Sequence, residues 1–132
     1  MKTLRLAALA ILSFPLFCLA QPDDLKNVQF REDFTEANLL MDEGLHNRAL
    51  DMWLQLQNDD PTNSNLNYKI GYCYLKSINE KSKAQHYLET AENSRNGEYS
   101  SWNISDYDPF DPQERNCPKE TKYYLGEAYL LN

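Results

Sequence analysis

Residues 66–77 read LNYKIGYCYLKS, an apolar helical run with a glycine, Gly71, at its centre. An interior glycine costs a helix about 1 kcal/mol against alanine, so packing has to offset it. A neighbouring helix that must approach closely supplies that offset. Such a constraint recurs at fixed intervals when helical units stack, so the rest of the chain is the test.

The pattern recurs twice. Upstream, FREDFTEANLLMDEGLHNRALDMWLQLQN (30–58) holds two apolar-periodic segments broken at Gly44–Asn47, with Pro61 beyond the second. This predicts a helical hairpin. Ala37 and Leu40 in its first helix, then Ala49, Trp53 and Leu56 in its second, match Gly71 and Tyr74, then Ala84, Leu88 and Ala91, across the polar turn SINEKSK. Ala37 and Gly71 lie 34 residues apart, and Ala49 and Ala84 lie 35 apart because the second turn holds one more residue. A spacing of 34 is the period of the tetratricopeptide repeat, a helix-turn-helix unit. Downstream, KETKYYLGEAYLLN places Gly126 and Tyr129 as Gly71 and Tyr74, and the sequence stops at Asn132 where the turn would begin.

The expected fold is therefore all-α, a solenoid of about two and a half hairpins. Its expected parts are a signal peptide (1–20), an N-terminal segment (21–29), a first repeat (30–63), a second (64–94), an inserted acidic loop (95–118) and the first helix of a third (119–132). The repeat core comprises Ala37, Leu40, Ala49, Trp53, Leu56, Gly71, Tyr74, Ala84, Leu88, Ala91, Gly126 and Tyr129.

MKTLRLAALAILSFPLFCLA has a basic start, an apolar run and small residues before Gln21, the three parts of an export signal, with cleavage expected after Ala20. Acylation of Cys18 is the alternative, against which stands the bulk of Phe17. Loss of Lys2 and Arg5 deepens the formal charge from −7 to −9. So acidic a chain offers nucleic acid or an anionic membrane no electrostatic attraction. The expected setting is the periplasm or the outer-membrane surface, with no membrane insertion after cleavage.

The run LNYKIGYCYLKSINEKSKAQHYLETAEN, followed after a loop by CPKETKYYLGEAYLLN, resembles the N-terminal tetratricopeptide region of Bacteroidetes cell-envelope proteins of the OmpA family. In that family the region precedes a WD-type β-propeller and an OmpA-like domain that binds peptidoglycan, and some members serve type IX secretion and gliding. The resemblance implies a non-catalytic protein-protein interaction module of the envelope. Alternatives are an assembly segment of a longer repeat protein, or a small calcium-binding envelope protein.

In such an array the groove is lined by first-helix positions: Phe34, Asn38 and Met41, then Tyr68, Tyr72 and Leu75, then Tyr123 and Glu127. Phe34, Tyr68 and Tyr123 share one repeat position and are expected to form an aromatic column suited to a protein or peptide partner. The same rings packing on one another across adjacent helices is the plain alternative, left open here. The last helix, lacking its hairpin partner, is expected to expose an apolar strip for self-association.

Asp106, Asp108, Asp111 and Glu114 gather carboxylates in the loop, but Pro109 and Pro112 break the EF-hand spacing and no glycine lies among them. A solvated loop is expected, with no metal or other cofactor. Motifs for a zinc protease, a serine nucleophile or a phosphate loop are absent, so no catalytic residue is assigned. His46 is expected in a turn, His86 on a second helix, Gly97 in the loop, and Asn103 opens a glycosylation sequon. Cys73 and Cys117 are expected too far apart in helical level to pair.

Overall fold

In the computed structural model the described residues are 22–97, 108 and 111–132, with side chains from Lys26 onward. The signal segment, Asn103 and Asp106 lie outside them. All the regular structure described is helical: α1 (Pro22–Asp42), α2 (His46–Asp59), α3 (Ser64–Lys76), a 3-10 turn (Lys81–Lys83), α4 (Ala84–Asn93) and α5 (Thr121–Tyr129).

Helix α1 starts at Pro22, where a ring without N–H suits a first turn, so residues 22–29, expected as a segment ahead of the first repeat, are helical and continuous with it. Lys26 reaches Asp59 of α2 at 3.3 Å, an exposed pair worth little by itself. The helix ends in a Schellman closure. Gly44, at φ +77°, donates its N–H to Met41 O, and Leu45 donates to Leu40 O. Two orphan carbonyls are thereby satisfied, and the chain is turned back into α2.

Along α2 the buried residues are Ala49, Leu50, Trp53 and Leu56, one stripe of a 3.6-residue period. The Trp53 ring meets Phe34 of α1 edge-on, centroids 5.0 Å apart at 76°. Helix α3 is the centre of the molecule, packed on α2, α4 and α5. There Gly71 performs the task its position demands. A Cβ at Gly71 would stand 2.6 Å from Leu88 Cγ and 3.2 Å from the Ala84 carbonyl oxygen, so the α3–α4 approach excludes any larger residue. The second turn closes with Glu80 in the left-handed region (φ 60°), its carboxylate paired with Lys83 at 2.5 Å.

The N-terminus of α3 is polar and buried. Asn63 caps it by accepting from Leu66 N–H at 3.1 Å. The Asn65 N–H donates to Arg115 O and its side-chain amide to Glu114 O, while Ser64 Oγ donates to Ala91 O and accepts from Cys117 N–H. Residues 111–118, although without helix or strand, are thus docked on α3. An Arg115–Asp60 ion pair at 2.6 Å and Asn116, which exchanges hydrogen bonds with the Asn96 backbone, hold the same segment.

Ala37, Leu40, Ala49, Trp53, Leu56, Gly71, Tyr74, Ala84, Leu88 and Ala91 are buried. Gly126 and Tyr129, placed in the same expected core, are exposed: a Cβ at Gly126 would meet nothing within 4 Å, and Tyr129 reaches α4 through its hydroxyl, which donates to Glu89 at 2.8 Å. Cys73 and Cys117 are both buried free thiols.

Candidate functional site

The exposed aromatic surface is built from α3 and α5. Tyr68 and Tyr72, one helical turn apart, are half-buried, as is Tyr124 of α5. The Tyr124 ring meets Tyr72 edge-on at 5.0 Å and Tyr68 at 6.2 Å, with Tyr123 on its other side at 5.3 Å. The Lys76 ammonium lies 5.4 Å from the Tyr72 centroid and 5.5 Å from that of Tyr124, within cation–π range. Burial, foremost, and then the neighbouring Tyr72 push the Tyr124 phenol above its usual range, so Tyr124 presents a neutral hydroxyl at pH 7.

This platform continues into a cleft of about 290 Å³ between the α1–α2 turn and the end of α3, lined in part by Leu45, His46, Arg48, Lys76 and Ile78. His46 opens α2, its ring edge-on to Tyr72 at 5.8 Å, and its buried Nδ1 finds no protein partner among the described residues. Lys76 joins cleft and platform, since it belongs to both.

The expected groove is rearranged accordingly. Phe34 is fully buried against Trp53, Asn38 is buried, and Leu75 is buried, so these three line no open surface. The reason is energetic: an aromatic ring beside Trp53 gains more by leaving water than by facing it. Asn38 instead holds a buried charge. Its Oδ1 accepts from Lys69 Nζ at 2.6 Å and its Nδ2 donates to Phe34 O at 3.1 Å. The Lys69 ammonium also sits 5.5 Å from the Phe34 centroid and 5.2 Å from the Trp53 ring. Desolvation lowers the Lys69 pKa to about 8, partly opposed by Cys73 and Asp42. Met41 and Glu127 are half-buried, and Tyr123 is exposed at the platform's rim.

In place of a column of Phe34, Tyr68 and Tyr123, Phe34 meets Trp53, while Tyr68, Tyr72 and Tyr124 meet one another and Tyr123 meets Tyr124. Neither Tyr124 nor His46 stands in the expected groove. Spacing alone set Tyr123 equivalent to Tyr68, but α5 turns its neighbour onto α3. A hint was available, because Tyr124 lies about 200° around the helix from Gly126 and so on the opposite side of α5 from it.

Burial pushes the Cys73 thiol up to about 12, which removes it as a nucleophile. No group of three or more histidines, cysteines or carboxylates that could hold a metal occurs among the described residues. Of the acidic-loop residues described, Asp108 faces Arg31 at 3.8 Å and donates its backbone N–H to the Glu114 carboxylate. No helix among the described residues is long and apolar enough to cross a membrane. Compared with known proteins, the chain matches no family model, no curated protein and no solved structure.

Proposed function

We propose that this chain is an exported, non-catalytic interaction module of tetratricopeptide type, which holds a protein or peptide partner in the cell envelope on its tyrosine platform. The observation that carries the proposal is the assembly of Tyr68, Tyr72 and Tyr124 on one open surface, with Lys76 above two of the rings. Aromatic rings with a polar tip supply contact area at little entropic cost, and a cation beside them adds orientation. The 34-residue spacing and the helix approach enforced at Gly71 support the repeat assignment. The likeness of residues 66–132 to the envelope proteins named above supports the setting, as does the export signal at residues 1–20.

The test is selection of a displayed peptide library on the wild-type protein, with the Tyr72→Ser/Tyr124→Ser double variant as the counter-target. Both rings are half-buried, so circular dichroism first checks that the variant keeps its helices. Enriched peptides should bind the wild type at least tenfold more tightly than the variant. A selection that yields only peptides binding both equally would end this reading of the platform.

A further inference from the structure

Four aromatic rings follow one another across three helices. His46 at the start of α2 meets Tyr72 of α3 at 5.8 Å, Tyr72 meets Tyr124 of α5 at 5.0 Å, and Tyr124 meets Tyr123 at 5.3 Å. Each pair is edge-to-face, at 80°, 84° and 78°, so the rings alternate in orientation along the row. Because α2, α3 and α5 all contribute to it, the row belongs to the assembled helices and not to the end of one. Among the described residues alternate members do not meet, and two steps separate them by at most about 11 Å.

That pitch suits one backbone conformation. A polyproline II helix rises about 3.1 Å per residue with three residues per turn, so it repeats about every 9 Å. Aromatic-lined grooves take such helices because proline packs on ring faces and the segment is ordered before it binds. The polar groups match as well. A polyproline II helix makes no internal hydrogen bonds, which leaves its carbonyl oxygens ready to accept. The hydroxyls of Tyr72, Tyr123 and Tyr124 have no hydrogen-bond partner among the described residues and can donate.

Charge distinguishes the two ends of the row. At the His46 end, Lys76 lies over Tyr72 and Tyr124, and Arg48 lines the adjoining cleft. Neither cation has an ion pair among the described residues, although the chain carries a net charge of −7. On α5 the charges acting on Tyr124 are those of Glu120 and Glu127. An acidic group is therefore attracted to the first end and repelled from the second.

We propose, on the premise that the tyrosine platform is the peptide site, that its partner is a proline-rich segment in polyproline II form with an acidic residue held over Arg48 and Lys76. A second copy of this chain is a poor occupant. Of its described prolines, Pro22 opens α1, and the carbonyl oxygens of Pro61, Pro112 and Pro118 already accept from Asn67, Asn116 and Thr121.

The probe is a terminally blocked hexaproline led by two glutamates, its proline run about 19 Å long and so able to span the row. Titrated against the full chain, it should saturate and shift amide resonances at His46 and along α3 and α5. The same peptide with glycine and serine in place of the prolines should bind at least tenfold more weakly. Tyr123→Ser should also weaken the hexaproline, and this ring is 72 % exposed, so its loss leaves the fold intact. Wild-type protein should prefer the glutamate-led peptide to plain hexaproline at least fivefold, and Arg48→Gln/Lys76→Gln should bind the two equally. Absence of saturable binding at millimolar peptide overturns the proposal, as does equal binding of the glycine-serine peptide. Library selection separates this failure from failure of the platform. Enriched peptides that lack proline yet need Tyr72 and Tyr124 overturn the proline-rich partner and keep the platform, whereas a selection without any ring-dependent peptide ends both. Sedimentation showing a wild-type dimer that Tyr72→Ser/Tyr124→Ser dissolves overturns the proposal in favour of a second copy.

Discussion

At the scale of single residues, Gly71 and Gly126 form a controlled pair. Gly71→Leu drives a side chain into Leu88 and should cost about 2 kcal/mol in urea unfolding, whereas Gly126→Leu gains helix propensity and should stabilise by up to about 1 kcal/mol. Equal effects would contradict the repeat register. Gly97, expected from sequence to be a permissive loop position, is a poorer control, because its φ of +105° strains any side chain. Trp53, fully buried in the α1–α2 contact, should cost about 3–5 kcal/mol on mutation to alanine. Lys69 gives a pH signature. The folded chain releases that proton near pH 8 and the unfolded one near the ordinary 10.5, so in this window the unfolded state holds more protons and stability rises with pH. Cys73 acts oppositely from its ordinary 9.0 upward, because the folded thiol stays protonated to about 12. Denaturation curves should therefore show a gain of about 1 kcal/mol between about pH 8 and 9 that levels off up to 10.5 and declines above it, where the thiol alone acts. Lys69→Met should abolish the gain, and Cys73→Ala should extend it.

At the scale of elements, the N-terminus of α3 shows how a buried helix end is made tolerable. Its orphan N–H groups find Asn63 Oδ1 and the Arg115 carbonyl oxygen, and Ser64 ties α4 to Cys117 through two hydrogen bonds, 2.6 Å to Ala91 O and 3.0 Å from Cys117 N–H. Ser64→Ala leaves both of those groups without this partner. It should destabilise by about 2 kcal/mol or more in urea unfolding, with faster amide exchange at Cys117. A loss within experimental error would mean that residues 111–118 do not depend on this contact. The helices themselves were legible, since α2 and α4 announce their buried faces by period and α1 its end by Gly44. The docking of residues 111–118 was not legible. Its hydrogen bonds join residues 49 to 53 apart in sequence, and no local pattern encodes such a pairing.

Across the whole molecule, each helix packs on the next in sequence and α3 also meets α5, so protection should be graded by position. Native-state hydrogen exchange should find α3 slowest and α5 fastest, because among the described residues α3 is packed by three helices and α5 is covered on one side only. Slow exchange in α5 equal to that of α3 would mean that its outer face is covered in solution. The sequence by itself determined the all-helical class, the two turns, the small residues at which helices meet and most of the core, because period, breakers and residue size are properties of neighbours along the chain. Only the tertiary structure decided which first-helix side chains remain open. Phe34, Asn38 and Leu75 went inward while Tyr124 and Lys76 came to the surface cluster, since a few tens of degrees in how one helix is rotated against another exchange a buried ring for an exposed one. That rotation is set by side chains from several helices packing at once, and repeat spacing carries no record of it.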